Sequence, residues 1–309
     1  MEKKKCLVLF SGGLDSRITA KFMEDLGFEV HLCFVKLPFG SSCGSFAGVE
    51  DFAKKEGFNL HIIDAKRGKL LKEYINLVKN PKYGIGTGIN PCKDCKIFIF
   101  IRGKKLAEEI SADVIVTGEV LGQRPMSQMK KALMFDEEKA GLVGRLLRPL
   151  SAKLLPETVY EKKGIVDREK LLEIHGRRRE KQMKLAEKYK IDYPTPAGGC
   201  LLCEKLYARK LQALLRYKKE PSMEEINLLG EGRMFKRKGL IFVGKNEKEN
   251  KELEKFANKL KWIIYKKEDV AGPTIIYDKK EDKEVVKNLW KVYAEKNLGA
   301  RKEFEEFKI

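Results

Sequence analysis

The chain has 309 residues, enough for a large core and two or three domains. It carries 64 Lys and Arg against 45 Asp and Glu, a net charge of +19, which favours a polyanionic partner, nucleic acid being the usual one. No apolar run approaches the ~20 residues of a membrane span, and the Met-Glu-Lys-Lys-Lys start leads at once into a strand pattern, so the expectation is a cytoplasmic protein without membrane span or secretory leader.

Lys5 to Phe10 is a short, almost wholly apolar run that suits the central strand of a parallel sheet. Arg17 to Leu26 repeats apolar residues at Ile18, Phe22 and Leu26, a helical spacing closed by Gly27. Between them, Ser11-Gly12-Gly13-Leu14-Asp15-Ser16 must turn a buried strand into a helix. Adjacent glycines let the backbone fold tightly and present successive N–H groups, and the helix start adds the positive end of its dipole. That is a nest for phosphate or pyrophosphate. It lacks the longer glycine frame and Gly-Lys-Ser/Thr ending of a Walker loop.

Residues 28–36, 58–64 and 113–119 read as further strands, with helical spacing at 49–55 and 70–78. Alternating strands and helices predict an α/β fold, a parallel sheet with helices on both faces, whose sites lie at the carboxyl ends of the strands. Cys6 and Cys33 fall within strands as small core residues, and His31 and His61 as solvent-facing or satisfied core positions.

Seven cysteines, an odd number, argue against a disulfide framework, and Cys-x-x-Cys spacing suggests metal, cluster or redox chemistry. The first pair, Cys92 and Cys95, closes a Gly- and Pro-containing loop (Gly88-Ile89-Asn90-Pro91) ahead of an apolar helix predicted over 97–110. Thiols at a helix start feel its dipole, which favours the thiolate. The second pair, Cys200 and Cys203, follows the turn Tyr193-Pro194-Thr195-Pro196 and Gly198-Gly199. A four-cysteine zinc site is the structural alternative, although zinc ribbons keep their pairs closer together.

Residues 151–221 hold 18 basic and 10 acidic side chains. An amphipathic helical stretch is predicted over 167–190, carrying Arg177, Arg178 and Arg179, whose guanidinium groups suit phosphate and RNA; a solvated helix face is the alternative. Arg124, Arg148 and Lys153 are phosphate contacts or solvated side chains. After a helix at 206–217, the segment from Met223 reads as a small α+β unit, with strands near 240–244, 262–265 and 272–277 and helices at 247–256 and 281–293. A heavily charged thermophilic surface would give the same composition, so charge alone does not establish RNA binding.

In its strand–loop–helix setting, the hexapeptide at 11–16 resembles the SGGxDS loop of the PP-loop (N-type) ATP pyrophosphatases, which cleave ATP between its α- and β-phosphates and adenylate a substrate oxygen. Asn90-Pro91-Cys92-x-x-Cys95, a helix, and Asp113-Val-Ile-Val-Thr-Gly118 resemble the tRNA thiouridine synthetases, the sulfur-inserting branch of those enzymes. The resemblance implies an ATP-dependent tRNA sulfurtransferase using ATP and Mg2+, with Ser11, Gly12, Gly13, Asp15, Ser16 and Gly118 binding the nucleotide. It implies catalytic roles for Asp15, Cys95 and Cys200, and a [4Fe-4S] cluster on Cys92, Cys95 and Cys200, Cys203 being a fourth ligand or a sulfur relay. Zinc, or free thiols with a persulfide on one of them, stay open. The implied partners are tRNA and a sulfur donor (sulfide, a cysteine desulfurase or a sulfur carrier), with a homodimer as the expected assembly and no membrane.

Two residues depart from that pattern. Glu119 stands where the synthetases commonly carry His, and Lys96 and Arg102 are the nearest cations to the Lys they place on the helix. Val243-Gly-Lys-Asn-Glu, with Ala271-Gly-Pro-Thr-Ile-Ile-Tyr277 further on, resembles the NFACT-R RNA-binding domain of ribosome quality-control proteins, with Tyr265-Lys266-Lys267 replacing its usual aromatic and histidine. The expected division is a PP-loop domain at 1–155, a basic helical region with the second cysteine pair at 156–222, and an accessory RNA-binding domain at 223–309. The competing readings are a PP-loop enzyme that thiolates or amidates a small molecule, and a non-enzymatic RNA-binding translation factor.

Overall fold

In the computed structural model, which describes residues 3–40, 46–194, 200–295 and 299–309, the chain divides into two compact units, Met1–Cys200 and Leu201–Ile309. The segment expected as a separate middle region is shared between them.

The first unit runs β1 (Lys5–Leu9), α1 (Leu14–Asp25), β2 (Glu29–Lys36), α2 (Phe46–Glu56), β3 (Asn59–Asp64), α3 (Gly68–Lys79), α4 (Cys92–Glu109), β4 (Val114–Thr117), α5 (Lys130–Ala140), α6 (Val159–Lys162) and α7 (Glu180–Lys188). Its sheet has the order β3-β2-β1-β4, and every pairing is parallel, with Leu7 opposite both His31 and Ile115. Cys6, Leu7 and Val8 are wholly buried, as expected of a strand covered on both faces, and this is why β1 reads as a continuous apolar run. One face packs Cys6, Val8, Phe10, Val30, Leu32 and Phe34 against Ile18, Met23, Val49 and Phe52 of α1 and α2. On the other, α4 crosses so closely that a Cβ at Gly103 would fall 2.2 Å from Leu9 Cδ2.

With β2 on one side of β1 and β4 on the other, the chain leaves the sheet in opposite directions at their carboxyl ends. That is the switch point at which such sheets open a crevice, and the glycine loop after β1 and Gly118 after β4 both lie there.

A single parallel bridge, Val116 to Leu147, adds to the β4 edge, and a second isolated parallel bridge joins Leu121 to His175. Here the structure corrects the sequence reading. The helix expected over 167–190 is confined to Glu180–Lys188, because His175 is drawn into extended pairing and Gly176 turns at φ +82°. The arginine triplet therefore lies ahead of α7, with only Arg179 at its N-cap. The Cys92–Cys95 pair, expected just before a helix, forms the first turn of α4 itself. Helix α5 was not anticipated.

The second unit runs α8 (Lys205–Tyr217), α9 (Met223–Leu228), β5 (Arg233–Lys236), β6 (Leu240–Val243), α10 (Glu247–Leu260), β7 (Ile263–Tyr265), β8 (Ile275–Tyr277) and α11 (Lys283–Ala294). Its antiparallel sheet, β5-β6-β8-β7, closes over a core of Phe235, Ile241, Val243, Ile275, Tyr277, Val286, Leu289 and Trp290. The α+β character was legible; strand β5 and helix α9 were not. No helix among the described residues is long and apolar enough to cross a membrane.

Candidate active site

The loop after β1 is built as a nest. Gly12 sits at φ +80°, a conformation in which a side chain is strained. Gly13 is extended and precedes the first turn of α1, whose leading N–H groups have no partner within the helix. Ser16 Oγ donates to the Gly13 carbonyl at 2.9 Å, and Ser11 Oγ lies 3.3 Å from Ser16 Oγ. Arg17, buried and stacked over Phe52 at 4.7 Å, donates to the carbonyls of Gly12 at 2.8 Å, Gly48 at 2.7 Å and Asp192 at 2.8 Å. It locks the back of the loop. Gly118 locks the front: a Cβ there would stand 2.8 Å from the backbone of Asp15 and Ser16.

Asp15 is held by a chain of amides. Gln123 Nε2 donates to Asp15 Oδ2 at 2.6 Å, and Gln182 Nε2 of α7 donates to Gln123 Oε1 at 2.9 Å. The other ends, Asp15 Oδ1 and Gln182 Oε1, are buried without a hydrogen-bond partner among the described residues. Burial pushes the Asp15 carboxyl above its ordinary range, while the Gln123 hydrogen bond and the charges of Arg179 and Arg124 pull it back.

Beside the nest lies a buried five-charge network. Lys96 Nζ is 2.7 Å from Glu119 and 2.9 Å from Asp136, and Arg148 reaches Glu119 at 3.0 Å and also pairs with Glu137. Burial acts to raise the Glu119 carboxyl, but Lys96 and Arg148 prevail and hold it below its ordinary value. Asp136 is pushed up by burial, Lys96 offsetting only part of the effect. This corrects the expectation for Arg148, which is 2% exposed and engaged with two carboxylates rather than presented to a phosphate. Lys153 pairs with Glu169 at 3.2 Å.

Of the cysteines in the first unit, Cys95 meets the buried Tyr74. The Tyr74 hydroxyl donates to Cys95 Sγ at 3.1 Å. After burial, the charges that act on this phenol are those of Cys95, Cys200 and Cys92, all of which raise it. Burial pushes the Cys95 thiol up to about 11, while Cys92 is exposed and Cys200 half-buried. The donor set matches a soft metal or cluster in kind. Among the described residues, however, no group of three or more His, Cys, Asp or Glu is assembled that could hold a metal ion. Cys203 falls in the second unit, in the turn Leu201–Cys203. Arg177 and Arg178 are exposed and Arg179 half-buried. The turn residues Thr195 and Pro196, and Gly198 and Gly199, lie outside the described residues.

Sequence reasoning missed Gln123, Gln182 and Tyr74. The two glutamines carry no motif, and Tyr74 reads as part of the apolar stripe of α3, so no local signal marked them.

A buried strand, a glycine turn and a helix meet at the switch point of the first unit's parallel sheet, the build of a nucleotide-binding α/β domain. The sequence model for "Thiamine biosynthesis protein (ThiI)" matches residues 2–153. The tRNA-specific 2-thiouridylase MnmA of Sulfurimonas denitrificans is 32% identical over 126 residues, covering 38% of this chain and 35% of that protein. The MnmA of Campylobacter jejuni subsp. jejuni serotype O:6 is 34% identical over 118 residues, covering 37% and 34%. The chain thus spans about a third of the length of the curated relatives it matches. Among solved structures, a predicted subunit of tRNA methyltransferase from Methanocaldococcus jannaschii is 18% identical, covering 72% of this chain and 92% of that one, with a TM-score of 0.35. The NH3-dependent NAD synthetase of Campylobacter jejuni is 10% identical, covering 74% and 84%, with a TM-score of 0.36.

Proposed function

We propose that the protein is an ATP-dependent tRNA sulfurtransferase that replaces a base carbonyl oxygen with sulfur. The observation that supports this reading is the presence, in one unit, of the glycine loop ahead of α1 and of the Cys95 thiol held by Tyr74, with Cys92 and Cys200 in the same unit. Amidation needs no thiols, and a plain RNA binder needs no pyrophosphate nest.

In this reading Ser11, Gly12, Gly13 and Ser16 bind the phosphates of ATP, Gly118 gives the clearance that lets the loop close on them, and Asp15 positions the Mg2+ that accompanies the phosphates. The base oxygen attacks the α-phosphorus, the bond to the bridging oxygen breaks, and its electron pair leaves on pyrophosphate. Hydrosulfide then adds at the activated carbon and AMP departs with the original oxygen, leaving C=S and a released proton. Cys92, Cys95 and Cys200 present the sulfur, and are the residues that would hold a [4Fe-4S] cluster, which would supply iron to carry sulfide. The target base must be unstacked or already exposed to reach the crevice. The second unit serves as an RNA-binding accessory, a reading supported by its sequence resemblance and antiparallel α+β build.

The test is reconstitution. Anaerobically purified protein, ATP, sulfide and bulk tRNA should yield AMP and pyrophosphate together with one thiolated nucleoside, identified by mass spectrometry. Formation of ADP and phosphate would refute the PP-loop chemistry, and AMP formation without a thionucleoside would move the activity to another acceptor. Iron and acid-labile sulfide analysis of the same sample decides between cluster and free thiols.

A further inference from the structure

Gln182 of α7 is wholly buried, yet its Oε1 has no hydrogen-bond partner among the described residues. Burying an amide with one end unpaired opposes folding, and an apolar side chain of similar volume would avoid that cost. Packing alone therefore does not account for a glutamine at this place. The other end of the amide chain poses the same question, because Asp15 Oδ1 is also buried and unpartnered among the described residues.

The order of donors along the chain follows from Asp15. A carboxylate only accepts, so Gln123 must turn its Nε2 group toward it, and does so at 2.6 Å. The Gln123 carbonyl then faces away and needs a donor, which Gln182 Nε2 supplies at 2.9 Å. With both bonds made, the Gln123 amide is held against turning over, and the Asp15 carboxylate is fixed with Oδ2 occupied and Oδ1 left over. Helix α7, which carries Gln182, is itself fastened to α1. Arg17 donates to the carbonyls of Gly12 and Asp192, both at 2.8 Å. The Tyr189 hydroxyl, just past α7, donates to Asp25 Oδ2 at the end of α1 at 3.0 Å. The Leu121–His175 bridge sets the approach of the segment ahead of α7. A helix outside the matched residues 2–153 thus braces the element that follows the glycine loop.

Resting on the reading of this loop as a site for ATP and Mg2+, we propose that Gln123 and Gln182 are positioning residues that present Asp15 Oδ1 to the cation accompanying the phosphates. A carboxylate oxygen is the kind of hard donor that Mg2+ takes, and ligating carboxylates are in turn held by outer hydrogen-bond partners. The two glutamines hold the carboxylate from behind. Removing either one lets the Asp15 carboxylate rotate and weakens its hold on the cation, while the N–H groups of the loop continue to serve the phosphates.

The experiment follows Mn2+ binding by electron paramagnetic resonance in the presence of α,β-methylene-ATP, which cannot be cleaved at that bond. It uses the whole chain as wild type, Gln123→Met and Gln182→Met, with circular dichroism melts of the same samples. Each variant should bind Mn2+ at least about tenfold more weakly, the scale of losing an outer partner of a ligating carboxylate. Gln182→Met exchanges one orphaned acceptor for another, so its melting midpoint should stay within about 4 °C of wild type. Raising Mg2+ should restore AMP formation in both variants, which it would not do for a misfolded loop. If Gln123→Met does not fold, Gln182→Met alone decides. Mn2+ affinity equal to wild type in Gln182→Met, or affinity lost only together with the fold, would overturn the assignment and leave the glutamines as packing residues. Wild type that binds neither the analogue nor Mn2+ would instead overturn the ATP reading and this inference with it.

Discussion

Lys96 Nζ and Glu119 Oε1 stand 2.7 Å apart, one residue beyond Cys95 and one beyond Gly118. The pair staples the first turn of the thiol-bearing helix α4 to the end of β4, where the nucleotide loop is closed. The buried Glu119 carboxylate is stable there because Lys96 and Arg148 share it.

The pair makes the stability of the first unit depend on pH. Against the effect of burial, Lys96 and Arg148 hold the Glu119 carboxyl below its ordinary 4.5. A carboxyl lowered on folding adds stability that is fully present above its unfolded value and is lost as pH falls through its folded one. Thermal melts should therefore show the difference between wild type and Glu119→Gln largest near neutrality and shrinking below about pH 4.5. A difference that is constant from pH 3 to 7 would remove Glu119 from this role.

Arg148 gives a sharper form of the same argument. Its replacement by Met leaves Glu119 and Glu137 buried without their shared cation. Breaking one side of a buried charge network costs about 3–5 kcal/mol. Urea unfolding should show a loss on that scale, whereas a loss under about 1 kcal/mol would mean that the network relaxes to admit water.

Gly118→Ala should separate catalysis from folding. Its Cβ would stand 2.8 Å from the Asp15 and Ser16 backbone, a distance that forces the loop to move. Because the neighbour is backbone, no rotamer change can relieve the clash. AMP formation should fall at least about tenfold, since a displacement on the order of 1 Å from the productive geometry can cost 10²-fold. Unaltered turnover would show that the nest tolerates the shift.

How much of this was legible depended on whether the signal was local. Strands β1, β2 and β4 and the glycine loop could be read because their apolar runs are buried on both faces and the loop chemistry lies within six consecutive residues. The Asp15–Gln123 and Gln123–Gln182 contacts span 108 and 59 residues, and neutral glutamines give no periodic or charge signature. Helix α5 escaped because two of its four buried residues are Asp136 and Glu137, beside Leu133 and Ala140, so its inner face reads as polar. The long helix expected through the arginine triplet failed for the opposite reason. Local periodicity favoured it, and the tertiary pairing of His175 with Leu121 overrode it.

In the second unit, Lys210 is 4% exposed and donates to the carbonyls of Leu229, Glu231 and Gly232 at 3.0, 3.2 and 2.9 Å. It closes the turn between α9 and β5. Lys210→Met keeps the stem but leaves those carbonyls without their donor, and should cost about 3 kcal/mol, the scale of orphaning buried acceptors of a charged group. Amide exchange should locate the loss in residues 201–309. Protection lost instead across the β1–β4 sheet would contradict this placement.

Tyr74 tests the thiol site. Its ring is 2% exposed and packs against Phe39 and edge-on against Phe98, so Tyr74→Phe preserves the packing and removes only the donor to Cys95 Sγ at 3.1 Å. A donor of this kind steadies sulfur when it carries negative charge. A hydrogen bond to a charged group is worth about 1.5–3 kcal/mol, which corresponds to about 10- to 100-fold in the step it assists. ATP cleavage, set by the nest, should stay within about twofold of wild type, while thionucleoside formation should fall at least about tenfold. Single-turnover assays that follow AMP and thionucleoside in the same tube separate the two steps. Equal losses in both would make Tyr74 a packing residue, and no loss in either would detach Cys95 from sulfur transfer.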